Sequence, residues 1–434
     1  MKYRSVRNQS PPVSFREALF SGLAPDGGLY VPESIPRLPP TFLEGIAGAP
    51  LHAIGDEVLS PFIDDIPREE LRSLIAKALN FPIPLVKLED GVYLLELFHG
   101  PTLAFKDVGA RFMAQASSYF LAQESRTLTI LVATSGDTGS AVAHGFHNVP
   151  HISVYILYPS GQISRLQEQQ MTTLGGNIHA IEVKGTFDDC QRLVKDTLVD
   201  REILAARPVT TANSMNVARL LPQIIYYFWG ISRLAAETGG TNPLVVVPSG
   251  NFGNLTAAVY AKWMGVPIRG FVAATNANDV VPEYLHTGTF TPRPSVRTLS
   301  NAMDVGNPSN LARLQALYRN DVGRMKNDID AVSISDEETL AQIKSTFGKT
   351  GRVIDPHTAV GVAAAMKRRE GGPGSPPVIV ASTAHPAKFP ETIERAIKRS
   401  IAIPAELEEA MGRQKQSTVI RPDYPEWKRV LMGG

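Results

Sequence analysis

The chain reads as an α/β protein, with parallel-rich sheets flanked by helices behind a small N-terminal α/β domain. Three observations carry that reading. From residue 127 onward, short apolar, β-branched runs alternate with helix-compatible segments. Several of the runs end in a glycine- or hydroxyl-rich turn that opens the next helix. Residues 1–90 follow a different, turn-rich pattern.

In that first part, Ala24-Pro25-Asp26-Gly27-Gly28 is a turn, residues 36–40 are a second break, and helical spacing recurs over 42–46 and 68–79. Beyond it, the apolar run 127–134 precedes a helix over 140–147. Runs 152–157 and 178–183 precede helices over 164–174 and 187–198. The run 244–247 ends at Pro248-Ser249-Gly250 ahead of a helix over 255–264, and runs 268–274 and 378–381 complete the series. Buried β-branched runs alternating with helices make parallel sheets covered on both faces. Binding sites in such folds gather at the carboxyl ends of strands. The biased stretch 370–377 reads as a flexible surface loop.

Composition narrows the function. A chain of 434 residues is too long for one core. Apolar residues make up 43% and charged residues 20%, as in an ordinary globular protein. The net charge is +1 with Lys and Arg scattered, which predicts neither a nucleic-acid partner nor an acidic membrane. No apolar run approaches the roughly 20 residues that cross a bilayer, and no apolar stretch follows Met1-Lys2-Tyr3-Arg4-Ser5, so no secretory signal is expected. The single cysteine, Cys190, has no disulfide partner, which fits a reducing cytoplasm. Within the amphipathic run 187–198 it reads as a small buried thiol rather than a nucleophile. No metal site is expected.

Four motifs carry chemistry. In His99-Gly100-Pro101-Thr102-Leu103-Ala104-Phe105-Lys106-Asp107, a lysine follows a compact apolar stretch after a Gly-Pro turn. It is either a solvated surface charge or a desolvated amine, less basic and usable as a nucleophile. Pro248-Ser249-Gly250-Asn251-Phe252-Gly253-Asn254 joins a buried strand to a helix. It is a tight turn or a phosphate cradle of backbone N–H groups at a helix N-terminus, without the G-K-[ST] ending of a nucleotide loop. Thr134-Ser135-Gly136-Asp137-Thr138-Gly139 suits a small carboxylate, or is a helix start capped by Ser135 or Asp137. Ala381-Ser382-Thr383-Ala384-His385-Pro386 offers a strand-end hydroxyl to a ring nitrogen, or a cap before Pro386. Taken together, the four are the parts of a pyridoxal-phosphate site: an imine-forming lysine, a phosphate anchor, a carboxylate loop and a ring partner.

The sequence also resembles a known family over nearly its whole length. The matching segments include Gly27-Gly28-Leu29-Tyr30, the run from Leu94 to Asp107, Ala133 to Gly139 and Met171-Thr172-Thr173-Leu174-Gly175-Gly176-Asn177. They continue through Ala212-Asn213-Ser214-Met215-Asn216 with Arg219, Pro248 to Asn254, Leu299 to Val305, Asp355-Pro356-His357 and Thr383 to Phe389. In this order they resemble the long, N-terminally extended bacterial threonine synthases. The resemblance implies the tryptophan-synthase-β-like fold, type II among pyridoxal-phosphate enzymes. It also implies an N-terminal domain over 1–90, a catalytic region of two α/β lobes over 91–345, and a C-terminal part over 346–434 completing the cofactor lobe.

For the site, the resemblance implies that Lys106 is the Schiff-base lysine and that Gly250, Asn251, Phe252, Gly253 and Asn254 hold the cofactor phosphate. Thr383 would face the pyridine nitrogen. Asp137 stands where relatives outside this family often have an asparagine contacting the ring oxygen, so it must be protonated or point elsewhere. Pro222 stands where alanine is expected and predicts a kink. The implied reaction takes O-phospho-L-homoserine and water to L-threonine and phosphate, with Lys106 as the base at Cα. Thr134, Ser135 and Thr138 are expected at the substrate carboxylate. Arg111, Ser164, Arg165, Asn213, Asn216 and Arg219 are the candidates for its phosphate, with arginine favoured for its two-pronged grip. A phospho-lyase, a serine or threonine dehydratase and a non-catalytic binding protein are the competing readings. The expected assembly is a monomer or homodimer.

Overall fold

The apolar runs become strands, and the turns after them become helix starts. The computed structural model describes every residue except 125, 241, 371–374 and 434, so the middle of the surface loop expected at 370–377 lies outside the described residues. The strands are β1 (Tyr3–Ser5), β2 (Tyr30–Pro32), β3 (Leu85–Glu89), β4 (Val92–Glu96), β5 (Leu128–Ala133), β6 (Ile152–Pro159) and β7 (Ile178–Val183). They continue with β8 (Val209–Thr211), β9 (Leu244–Pro248), β10 (Gly270–Thr275), β11 (Ile329–Ser333), β12 (Val378–Ser382) and β13 (Thr418–Ile420).

Two sheets carry the fold. The larger has the order β11-β10-β9-β12-β4-β3, parallel throughout except for β3, which forms a hairpin with β4. The smaller, β13-β7-β6-β5-β8, is wholly parallel. The central strands β4, β5 and β12 are buried along their whole length. Strands enclosed on both faces favour apolar side chains on both, which is why these segments are largely continuous apolar runs rather than alternating ones.

β1 and β2 pair antiparallel in a small separate ribbon. The N-terminal region is tied to the rest through polar groups as well as apolar packing. Thr210 Oγ1 donates to the Leu19 carbonyl at 2.9 Å. The fully buried Arg313 donates to the carbonyls of Tyr30, Ser214 and Met215. Pro222 does break its helix: Val217–Leu220 gives way to a 3₁₀ turn, Leu221–Gln223, before the helix Ile224–Thr238 resumes.

Candidate active site

Lys106 is the first residue of the helix Lys106–Leu121 and follows a loop that leaves β4. Asp107 builds that loop: its buried carboxylate accepts the Thr102 N–H at 2.9 Å and the Thr102 hydroxyl at 2.5 Å. The loop's far side is stitched to the end of β12. Ala104 and Ala384 form an antiparallel bridge, Phe105 N donates to the Thr383 carbonyl at 2.9 Å, and His385 N donates to Leu103 at 3.0 Å. The lysine and Thr383 are thereby set side by side.

A cavity of about 110 Å³ lies at the carboxyl ends of the strands, and its wall joins Lys106 to all three other motifs. Thr134, Ser135, Asp137 and Thr138 come from the end of β5, residues 248–254 from the end of β9, and Thr383 from the end of β12. Asn213 and Arg219 line it as well. Burial is the main influence on the Lys106 amine and pulls its pKa down to about 8. The Asp137 carboxylate opposes this shift, while Lys388 and Arg219 add to it. Roughly a tenth of such an amine is unprotonated at neutral pH, against well under a hundredth for an ordinary lysine.

The helix expected from 255 starts earlier, at Gly253, so the glycine motif forms the helix start itself. Phe252, with φ 61°, is the left-handed cap residue of that helix. A Cβ on Gly250 would stand 2.6 Å from Met303 Cα, so only glycine lets this backbone approach the 301–303 turn. Asn251 is committed within the protein: its side chain donates to Ser214 Oγ at 2.5 Å and accepts the Ser309 N–H at 2.5 Å. Asn254 Nδ2, by contrast, is buried without a partner, as is Arg219 Nε.

At the end of β5 the capping differs from expectation. Neither Ser135 nor Asp137 caps the helix Asp137–Phe146. The Thr134 hydroxyl accepts the N–H groups of Gly136 and Gly139 at 2.9 and 2.8 Å, which leaves Ser135 and Thr138 at the cavity wall. At the end of β12, His385 Nδ1 accepts the Ala387 N–H and caps the turn Pro386–Lys388, so Thr383 is not the cap.

Asp137 is neither protonated nor turned away. Burial would raise its pKa, but Lys388 holds it well below the ordinary range, with Lys106 and His357 contributing. Lys388 Nζ lies 2.7 Å from Asp137 Oδ1, and Gln167 Nε2 donates to the same oxygen at 2.9 Å.

Four predicted substrate contacts lie outside the cavity. Arg111 turns to the end of the helix Arg68–Ala78, donating to the Lys77 and Ala78 carbonyls and to Asn80. Ser164 is the cap of the helix Arg165–Thr172, and Arg165 projects outward from that helix's first turn. Asn216 is buried as the cap of Val217–Leu220, donating to the Leu19 and Thr211 carbonyls. Asn213 reaches the wall but uses its amide to bracket Ala133, accepting from its N–H at 3.0 Å and donating to its carbonyl at 2.6 Å.

Three residues went unassigned in the sequence. Gln223 lines the cavity with its amide nitrogen fixed on the Arg219 carbonyl. His357 also lines it; its Nε2 accepts the Ala302 N–H and its Nδ1 lies 2.8 Å from Asp355. Lys388 stands behind the wall. His357 and Lys388 fall in matching segments, but nothing local marked their roles.

A half-buried lysine of lowered basicity, a glycine cradle at a helix N-terminus and a strand-end hydroxyl, all at the carboxyl ends of parallel strands, define a pyridoxal-phosphate-dependent enzyme. The family model described as pyridoxal-phosphate dependent enzyme matches residues 77–383, and those for the threonine synthase N terminus and C-terminal region match residues 2–79 and 358–431. The chain belongs to the threonine synthase family. It is 42% identical to threonine synthase of Escherichia coli over 434 residues, covering 100% of this chain and 99% of the other. It is 43% identical to that of Haemophilus influenzae over 436 residues, covering all of both. The E. coli threonine synthase crystal structure superposes with a TM-score of 0.93 at 40% identity, covering 100% and 99% of the two chains. The pyridoxal-phosphate-bound threonine synthase of Brucella melitensis does so at 0.91 and 35%, covering 99% and 98%. The residues present fit that cofactor: a lysine amine of lowered basicity, a glycine turn at a helix N-terminus, and the buried, unpartnered Nδ2 of Asn254 in that turn.

Proposed function

We propose that the chain converts O-phospho-L-homoserine and water to L-threonine and phosphate. The observation that carries this reading is the less basic Lys106 amine sharing one cavity with the Gly250–Asn254 cradle, in a chain matched end to end by threonine synthases.

Bound pyridoxal phosphate supplies the electron sink that lets protons leave carbons next to the imine. Lys106 would hold the cofactor through its amine, and the same amine would take and return the proton at Cα, its lowered basicity leaving a larger unprotonated fraction for that role. The N–H groups from Gly250 to Asn254 hold the cofactor phosphate, and the N-terminal end of the helix Gly253–Trp263 adds positive potential. The Thr383 hydroxyl partners the ring nitrogen without holding it protonated, as a carboxylate would. Ser135 and Thr138 orient the substrate carboxylate, and Thr134 shapes their loop. Arg219, buried and with Nε unpartnered, is the residue of choice for the substrate phosphate.

The three-part division at 1–90, 91–345 and 346–434, a monomeric or homodimeric assembly and a cytoplasmic site of action belong to the same reading. The buried Cys190 thiol and the absence, among described residues, of a helix long and apolar enough to cross a membrane agree with it. The test is to incubate purified protein with phosphohomoserine and measure threonine and phosphate together. Equal amounts of both are expected. Phosphate released with a keto acid and no threonine would make the chain a phospho-lyase.

A further inference from the structure

Behind the cavity wall the fully buried Lys388 pairs with the buried Asp137 carboxylate, and Asp137 and the half-buried Lys106 line the cavity together. Lys388 is fully buried, and its Nζ reaches both Asp137 Oδ1, at 2.7 Å, and the Thr102 carbonyl, at 2.9 Å. Thr102 belongs to the loop that carries Lys106, and Asp137 opens the helix after β5. Gln167 completes the carboxylate's shell, its own amide oriented because its Oε1 accepts the Ser164 N–H.

A carboxylate buried this deeply needs a cation. It has two within reach of its field, Lys388 and Lys106, with His357 nearby. The amine that pairs with it is held protonated, because an opposite charge stabilises the charged form. An amine kept protonated can neither form an imine nor take a proton from carbon. We propose that Lys388 is a positioning residue that occupies Asp137 as its permanent counter-ion and so keeps the Lys106 amine out of a salt bridge. This rests on the reading of Lys106 as the cofactor lysine.

The charged groups around Lys106 are Asp137, which raises its basicity, and Lys388 and Arg219, which lower it. Asp107, which Lys388 also influences, is spent on Thr102. Removing Lys388 therefore acts twice: it deletes a repelling cation and releases Asp137 to pair with Lys106. Removing the Asp137 charge has the opposite sign, leaving Lys106 among cations alone. A lysine that merely filled space would leave the Lys106 midpoint unmoved when it is removed.

The test uses the full-length chain freed of cofactor. Pyridoxal phosphate is added over a range of pH, the initial rate of imine formation is followed by visible absorbance, and borohydride reduction with mass mapping identifies the lysine captured. In Lys388→Met the midpoint of the rate-against-pH curve should rise by about one unit, a tenfold loss of free amine at neutral pH. In Asp137→Asn it should fall, and in the double variant it should return toward the parent, with thermal stability recovered relative to Lys388→Met. Should Lys388→Met not fold, Lys388→Gln, which also removes the charge but keeps a hydrogen-bond donor for the Thr102 carbonyl, decides in its place. Midpoints that stay within about 0.3 units of the parent would overturn the proposal. Capture of a lysine other than Lys106 in the parent would instead overturn the reading on which it rests.

Discussion

Gly250→Ala is the sharpest probe of the cradle, because the structure states what the added methyl meets. Its nearest neighbours are Met303 Cα at 2.6 Å, the Ala302 carbonyl oxygen at 3.0 Å and the Met303 carbonyl carbon at 3.3 Å. All three are backbone atoms. They are held by the Met303 N–H bond to the Ser300 carbonyl and the Ala302 N–H bond to His357, so they cannot swing aside as a side chain would. Ordinary contact begins at 3.4 Å, so the loop or the 301–303 turn must retreat by about 0.8 Å. Overpacking of this kind costs about 1–3 kcal/mol in stability. A retreat on that scale also breaks or stretches at least one charge-assisted N–H bond to the phosphate, worth about 1.5–3 kcal/mol. The cofactor Kd should rise roughly 10- to 150-fold. Titrating the stripped variant with pyridoxal phosphate by absorbance, beside a thermal melt, measures both effects. A Kd within about threefold of the parent would refute the assignment of this loop to the phosphate.

Four further outcomes are expected. Lys106→Ala should stay folded and lose turnover; activity within about tenfold of the parent would remove Lys106 from the chemistry. Arg219→Leu should raise the phosphohomoserine KM about 10- to 100-fold, the value of a hydrogen bond to a charged group, while the cofactor Kd changes little; equal losses in both would place Arg219 at the cofactor instead. Capture of pyridoxal phosphate by the stripped parent should grow as pH rises and level off above about 8, since the reactive form is the unprotonated Lys106 amine; a rate that falls over that range would contradict the sign. Cys190 is fully buried, with burial pushing its thiol well above the ordinary range, so a thiol reagent should label it only after unfolding; rapid labelling of the native chain would show an opening at the helix Phe187–Thr197.

What could be read from the sequence was what is local in the chain. The runs that became β5, β9, β10 and β12 are apolar at most positions because both faces are covered, and that leaves a contiguous signature. β8 and β13 have three residues each, and β11 lies at a sheet edge with Asp330 exposed, so none carries such a signature. The same division holds at the site. Lys106, the 134–139 turn and the glycine cradle are each written in one stretch. The Asp137–Lys388 pair joins residues far apart in sequence, so no local pattern could assign Lys388 its partner. Arg111 failed for a geometric reason. It lies five positions after Lys106 on one helix, about 140° around the axis, and so faces away from the amine. Arginine was the right residue type for an anion, but only Arg219 among those predicted is turned to the cavity.

The bridge between Ala104 and Ala384 sets an order of assembly. Lys106 is made within the first quarter of the chain, yet the strand end that fixes its loop is made near the last eighth. A growing polypeptide leaves the ribosome amino end first, and contacts between distant segments must wait for the later one to appear. Throughout most of translation the future nucleophile is thus an ordinary, almost wholly protonated lysine on an unanchored turn, far less reactive toward the aldehydes of the cell. Its altered chemistry arises only when a nearly complete polypeptide closes on itself, so an interrupted product of synthesis is not left carrying an active amine.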